Sequence, residues 1–348
     1  MKQEILVVIE TAQTQGVSER RTCGLLQVNR RRLFRWRQWR KQGRSLENRT
    51  PGPEHPAHAL LPSEQEAVLT LARREEYADW SHRSLTVLGW DEGWMMVSFS
   101  TTYRILKAQG LIGLRGNQRR HNGRSAAPVR KELDGPNQRW CWDISYLKTD
   151  LRGVFLYLYL LLDEWSRKAL AWRVSGELTA GEAQRLLDAG VVAENILEAP
   201  QAPRPEVIND RGRQMRAKPV RQMLSDLEMP QLFARPRTPN DNPFIEAMFS
   251  TTKGDPRYPE RFRDQAQAHQ YCAAYFPWYN TQHYHSALDY VTPAQAHAGQ
   301  RPQIVAQRRA RLATARAHRK EVNRSLQGLD QASTNAHIHS DLNTKDTS

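Results

Sequence analysis

The sequence predicts an α/β protein: a mixed five-stranded sheet with helices on its faces, preceded by all-α helix-turn-helix domains. Three observations carry this. From Arg139 the pattern turns to strands: Arg139–Leu147, the nearly continuous apolar Val154–Leu162, and Lys168–Val174, joined by turns at 149–153 and 163–167. An unbroken apolar run suits a strand covered on both faces. Helix and strand then alternate, with helices at 179–197, 219–228 and 242–252 and strands at 207–209 and 231–234. The resulting order, βββαβαβα, is a mixed sheet clothed by helices.

A length of 348 residues allows two or three domains with at least one sizeable core. There are 51 Lys+Arg against 37 Asp+Glu, a net charge of +14. A chain this basic meets a polyanion, because neutralising phosphates releases their counterions. Cys23, Cys141 and Cys272 are odd in number and never form a CxxC pair, which argues against a disulfide framework or a zinc ribbon. Ile5–Ile9 is shorter than a signal-peptide core, and the run ending at Leu162 falls short of a membrane span. The expectation is a soluble, cytoplasmic protein with no membrane partner. No GxxxxGK[ST] and no HExxH occurs, which removes ATP-driven and metalloprotease chemistry.

Residues 1–48 read as a helix-turn-helix. Ile5, Leu6, Val8 and Ile9 mark the first helix, and Ser18 is placed to cap a second whose apolar side is Cys23, Leu25 and Leu26. Asn29 would cap a third, with Leu33, Phe34 and Trp36 on one side and Arg30, Arg31, Arg32, Arg35 and Arg37 on the other. Ten Lys/Arg and no acid lie between Arg20 and Arg44, a density suited to a recognition helix with flanking phosphate contacts.

Prolines at 51, 53 and 56 break helix across the linker 49–61. A second helix-turn-helix-like domain, 62–115, opens at Pro62 and closes with a helix bearing Arg104 and Lys107, ended by Gly110. A basic linker, 116–135, could track a DNA backbone. The sheet domain occupies 136–299, a basic helix 300–324, and 325–348 is expected to be a disordered tail.

The chemistry concentrates in three carboxylates. Asp143 sits mid-strand in Arg139–Leu147, Asp210 ends the strand Val207–Asn209, and Glu246 falls in the second turn of a helix begun by Asn242 and Pro243. Thirty-five residues separate Asp210 from Glu246. An unpaired carboxylate inside an apolar strand is costly to bury, so Asp143 needs a reason to be there. Phosphodiester displacement supplies one. Two divalent cations about 3.5–4 Å apart can activate the nucleophile and stabilise the leaving oxygen. Mg²⁺ takes hard oxygen ligands, so carboxylates suffice. Ser250 and Lys253 share the helical face of Glu246, while Asp163 and Asp241 read as a turn residue and a helix-start residue.

With these residues in view, the chain resembles the DDE transposases of bacterial insertion sequences, whose core is of the retroviral-integrase, ribonuclease-H-like type. The likeness covers roughly 62–299. It is strongest from 139 onward, and includes Tyr279-Asn280-Thr281-Gln282-His283-Tyr284-His285 followed by Thr292-Pro293, similar to the family's "YNxxRxHxxL…TP". Two positions differ: Arg211 replaces the asparagine of Asp-Asn-Gly, and His283 replaces the arginine. The resemblance implies Asp143, Asp210 and Glu246 as catalytic and metal-binding residues for two Mg²⁺ ions (Mn²⁺ substituting). Asp143 would bridge the ions and each of the others would hold one. It implies Lys253 at DNA near the active site, and double-stranded DNA, as element terminal repeats and target, as the partner. It further implies strand cleavage followed by 3′-hydroxyl strand transfer, a homo-oligomer, and a bacterial, nucleoid-associated location. Two other readings remain open: a catalytically inactive, element-derived DNA-binding protein, favoured by Arg211, and a structure-selective nuclease on the same fold, against which the helix-turn-helix units argue.

Overall fold

The structure is a computed structural model that describes residues 1–47, 56–112, 132–198, 203–210, 212–233 and 242–343, with backbone alone for 327–343. The linker 49–55, most of the basic connector 116–135, Arg211 and Asp241 lie outside the described residues. The chain divides into two compact units, Met1–Ala57 with Leu326–Ser348, and His58–Ser325.

In the first unit, α1 (Lys2–Thr14), α2 (Glu19–Leu25) and α3 (Arg30–Lys41) meet at Leu6, Ile9, Cys23 and Leu33, with Ile5, Trp36 and Leu46 packed around them. Asn29 caps α3 by accepting from the Arg31 amide at 2.8 Å. Ser18 occupies the N-cap of α2 but makes no side-chain cap bond. Leu25, Leu26, Phe34 and Val8, expected on apolar faces, are exposed. Three short helices meeting around one point bury a single stripe each, and the seven-residue α2 has room for little more than Cys23.

The second unit opens with α4 (Pro62–Ala72), α5 (His82–Glu92) and α6 (Phe99–Ala108), which enclose Val68, Leu71, Leu85, Leu88, Met95, Val97 and Leu106. Ser81 and Ser98 cap α5 and α6 by accepting amides at 3.1 and 3.2 Å. Gly110 takes φ +68 just past α6, the left-handed turn expected of it.

The sheet comprises β1 (Arg139–Lys148), β2 (Phe155–Asp163), β3 (Ala169–Ser175), β4 (Glu206–Asn209) and β5 (Gln231–Phe233), in the order β3-β2-β1-β4-β5. The first three strands are antiparallel, whereas β4 and β5 run parallel to β1. This is the ribonuclease-H-like layout expected from the sequence.

Strand alternation sorts side chains to two faces. Trp140, Trp142, Tyr159, Leu161 and Val207 pack under α7 (Ala180–Ala193) and α8 (Lys218–Asp226). Cys141, Leu158, Leu160, Leu162 and Ile208 pack under α9 (Pro243–Lys253) and α10 (Gln265–Thr281). The helix on the first face comes very close at Gly190, where an added Cβ would lie 2.3 Å from Leu161 Cδ2.

The short α11 (Pro293–His297) is tied to the sheet by a buried polar knot. Asp163, read from sequence as a turn residue, is fully buried and accepts from the Asn137 amide, the Ser166 amide and Ser166 Oγ at 2.9, 2.8 and 2.6 Å. His297 links Ser166 Oγ (2.9 Å) to Glu194 (2.7 Å), and Lys168 Nζ donates to Glu194 at 2.7 Å. These bonds hold the Glu194 carboxyl at about 2 against the opposing effect of burial.

One helix, α12 (Arg301–Asn343), continues beyond 324, where the basic helix was expected to end, into the segment expected to be a disordered tail, whose residues 344–348 lie outside the described residues. No proline interrupts 303–343, and extending an existing helix is far easier than nucleating one. The amino-terminal half of α12 lies along the α4–α6 layer. Arg308 donates to Asp91 through Nε and Nη2 at 2.7 Å each, and Arg319 Nε to Glu64 at 2.7 Å. Asn323 Nδ2 donates to the Ala59 carbonyl at 3.0 Å.

Candidate active site

Strand register determines where the carboxylates lie. β1 and β4 pair in parallel as Arg139↔Glu206, Trp140↔Val207 and Cys141↔Ile208. Carried past Asn209, the same offset sets Asp210 beside Asp143. Cys141 and Ile208 both belong to the core under α9. Asp143 and Asp210, each two residues further on, therefore share that face.

The helix α9 settles onto the same face. Ile245, Met248, Phe249 and Thr252 are buried beneath it, which leaves Glu246, Ser250 and Lys253 on its exposed side, as the helical spacing predicts. Pro243 holds the first helical position. Asn242 stands at the N-cap but makes no side-chain cap bond, and its Nδ2 is buried without a hydrogen-bond partner among the described residues.

Electrostatics join the three acids. Asp143 is partly buried and accepts from the Ile144 amide at 2.8 Å. Burial pushes its carboxyl up to about 7, and the charges of Asp210 and Glu246 push the same way. Asp210 is exposed and accepts from the Gly212 amide at 2.7 Å. A Cβ at 212 would come within 2.9 Å of Asp210 Oδ1, so glycine lets the turn fold back on the carboxylate. Lys253 reaches back to the strand that carries Asp143, its Nζ donating to the Tyr146 carbonyl at 3.2 Å.

Around α9 lie residues whose part was not visible in the sequence. Arg167, at φ +63 in the β2–β3 turn, sets its guanidinium 3.5 Å from the ring centroid of Phe244, two residues before Glu246. His283, standing where the family pattern has arginine, stacks on Tyr279 with centroids 5.1 Å apart. Burial lowers both His283 and His285 to about 4, and Arg167 adds to the effect on His285. Burial thus favours the neutral form of both imidazoles at neutral pH.

The other candidate DNA contacts divide. Arg31, Arg32 and Arg35 are exposed on α3, and Arg104 and Lys107 on α6. Arg37 is committed internally, donating to Glu19 at 2.7 Å and Gln13 at 3.2 Å, and Arg30 approaches Glu19 at 3.5 Å. The sequence showed no acid between Arg20 and Arg44, but Glu19 lies just outside that window and takes the role.

All three donors are carboxylate oxygens, which suits a hard divalent cation. A cation would also favour the charged form that the site now disfavours at Asp143. As they stand, no group of three His, Cys, Asp or Glu side chains among the described residues is arranged to hold a metal ion.

Comparison with known proteins points to integrase cores and insertion-sequence transposases. Two models of the integrase core domain match, one over residues 134–239 and the other over 228–293. The transposase for insertion sequence element IS904 of Lactococcus lactis is 28% identical over 211 residues, which span 56% of this chain and 79% of that protein. Transposase InsF for insertion sequence IS3A of Escherichia coli is 50% identical over 46 residues, 13% of this chain and 15% of that one. Among solved structures, the HTLV-2 integrase catalytic core domain in complex with magnesium aligns with TM-score 0.33 and 13% identity, covering 47% of this chain and 97% of that chain. The catalytic domain of Mos1 mariner transposase aligns with TM-score 0.35 and 12% identity, covering 52% and 83%. The fold itself rests on the observed sheet. No helix among the described residues is long and apolar enough to cross a membrane.

Proposed function

From a chain that carries an integrase core domain over 134–293 and is related to insertion-sequence transposases, we propose a DNA transposase that binds its element's ends, cleaves a strand there and joins the freed 3′-hydroxyl to target DNA. The observation that carries this is the β1–β4 register, whose offset carried two residues beyond Cys141 and Ile208 brings Asp143 and Asp210 together, with Glu246 of α9 near enough for its charge to act on Asp143.

Asp143, Asp210 and Glu246 would hold divalent cations, Mg²⁺ by their all-oxygen chemistry. When bound, such ions lower the pKa of the attacking water or hydroxyl and stabilise the leaving oxygen. The chain's own part is positional. β1 and β4 fix two carboxylates side by side, Gly212 keeps the Asp210 turn tight, and the buried face of α9 sets the height of Glu246. Lys253, Arg104, Lys107, Arg31, Arg32 and Arg35 offer cations to DNA phosphates. Assembly into a homo-oligomer on paired ends accords with the same reading.

The test is cleavage and joining of a labelled duplex bearing the element's terminal repeat, with Mg²⁺ or Mn²⁺. Joined product lost in Asp143→Ala, Asp210→Ala and Glu246→Ala, each still folded, is the expected result. Cleavage that survives all three substitutions overturns the site. End-binding without cleavage by the unmodified protein selects the inactive derivative instead.

A further inference from the structure

Residues 301–325 of α12 contain cations of two kinds. Arg308 and Arg319 are buried against Asp91 and Glu64 and fix the helix in place. Arg309, Arg316, Lys320 and Arg324 are exposed. At about 100° per residue these four fall within an arc of about 80° along one flank of the buried stripe. The only acid of the segment, Glu321, points about 100° away from the middle of that arc. Arg311 lies on the opposite flank and donates to the Trp90 and Asp91 carbonyls at 2.9 and 3.2 Å. Small exposed residues, Ala306, Ala310, Ala313 and Ala317, adjoin the row and leave room for close approach.

We infer that this flank of α12 is a phosphate-binding surface for double-stranded DNA, separate from the helix-turn-helix cations and from the carboxylate site. From Arg309 to Arg324 the row runs about 22 Å. That length reaches across a groove of about 6 to 12 Å onto both of its phosphate ridges. A row of cations with no acid inside it matches the repeating charge of a duplex, where a folded acidic protein would present isolated carboxylates at irregular spacing. The anchoring by Arg308 and Arg319 holds the row rigid, so little side-chain and backbone order must be acquired on binding. The surface rests on the DNA-directed reading above and extends it with a sequence-independent contact.

The experiment measures affinity for a duplex of arbitrary sequence as a function of salt. Full-length protein is compared with a variant carrying Arg309→Gln, Arg316→Gln, Lys320→Gln and Arg324→Gln. Each lost phosphate contact lowers the slope of log affinity against log salt by about 0.9, so the four together lower it by between about three and four. A control variant removes exposed cations elsewhere, Arg152→Gln, Arg185→Gln, Arg221→Gln and Arg263→Gln. The inference is upheld if the α12 variant loses slope and the control keeps it. It is overturned if the slope is unchanged, or if both variants lose it equally, since net charge then accounts for the effect. Should the fourfold variant misfold, the pair Lys320→Gln and Arg324→Gln should still lower the slope by about two. An acidic protein that binds the row while duplex DNA does not would also overturn it. Binding needs no cleavage, so a failed slope test leaves the carboxylate site standing, and a failed cleavage test leaves this surface standing.

Discussion

Asp143→Asn separates the chemical role of this residue from its structural cost. The substituted amide keeps the shape of the carboxyl and can still accept from the Ile144 backbone N–H, but it carries no charge. In the folded protein Asp143 is pushed up to about 7 from an ordinary value near 3.8. Its anion is thus disfavoured by folding. A shift of about three units corresponds to about 4 kcal/mol at most, and relaxation and water entry reduce it, so about 2 kcal/mol is expected. The sign follows from the direction of the shift. Below about pH 4 the carboxyl is neutral in both folded and unfolded chains, and the substitution should change little. Between about 4 and 7 the unfolded chain ionises while the folded one resists, so the advantage of asparagine grows and is complete above about 7. Denaturant midpoints of the two proteins across this range, in chelator, are the assay. Adding Mg²⁺ at pH 8 should then stabilise only the unmodified protein. An asparagine variant that is less stable at pH 8, or equally affected at every pH, would refute the reasoning, because it would mean Asp143 is satisfied by a partner within the fold.

Two further outcomes test the scaffold. Gly190→Ala puts a methyl 2.3 Å from Leu161 Cδ2 and should lower thermal stability by about 1–3 kcal/mol; an unchanged melting temperature would show that α7 has slack against β2. Glu194→Gln removes a carboxyl held at about 2 and should cost about 2–3 kcal/mol at neutral pH. Because that carboxyl is depressed below its ordinary value, its contribution should fade as pH falls from about 4.5 toward 2, and a loss that persists undiminished in that range would contradict the knot described here.

Much of the sheet domain was legible in the sequence, and the reasons are local. Val154–Leu162 and Arg139–Leu147 carry enough apolar periodicity to mark strands, and the observed strands differ by one residue at most of their ends. Asp143 stood out because an acid inside an apolar strand is conspicuous, whereas Asp210 and Glu246 were singled out by their spacing and by the family resemblance. What stayed hidden depends on distant partners. Nothing near Asp163 or His297 says that Asn137, Ser166 and Glu194 will gather around them. Arg37 looked like its neighbours until Glu19 was seen to fold back onto it. Phe34 and Trp36 carry the same kind of signal in sequence, yet only Trp36 reaches the small core, because three short helices leave little interior to share.

The ion pairs of α12 have a consequence for synthesis. Asp91 and Glu64 emerge from the ribosome early, while Arg308 and Arg319 emerge more than two hundred residues later. Until then Asp91 has the Tyr284 hydroxyl and Glu64 the Leu61 amide, but neither has its arginine, and contacts of such long range form slowly. The carboxylate-bearing sheet is complete before that closure. A nascent or prematurely terminated chain that stops before Arg308 therefore holds the helices bearing Arg104 and Lys107 to the sheet domain through Tyr284 and Tyr290, and gains the two buried ion pairs only when translation has passed Arg319.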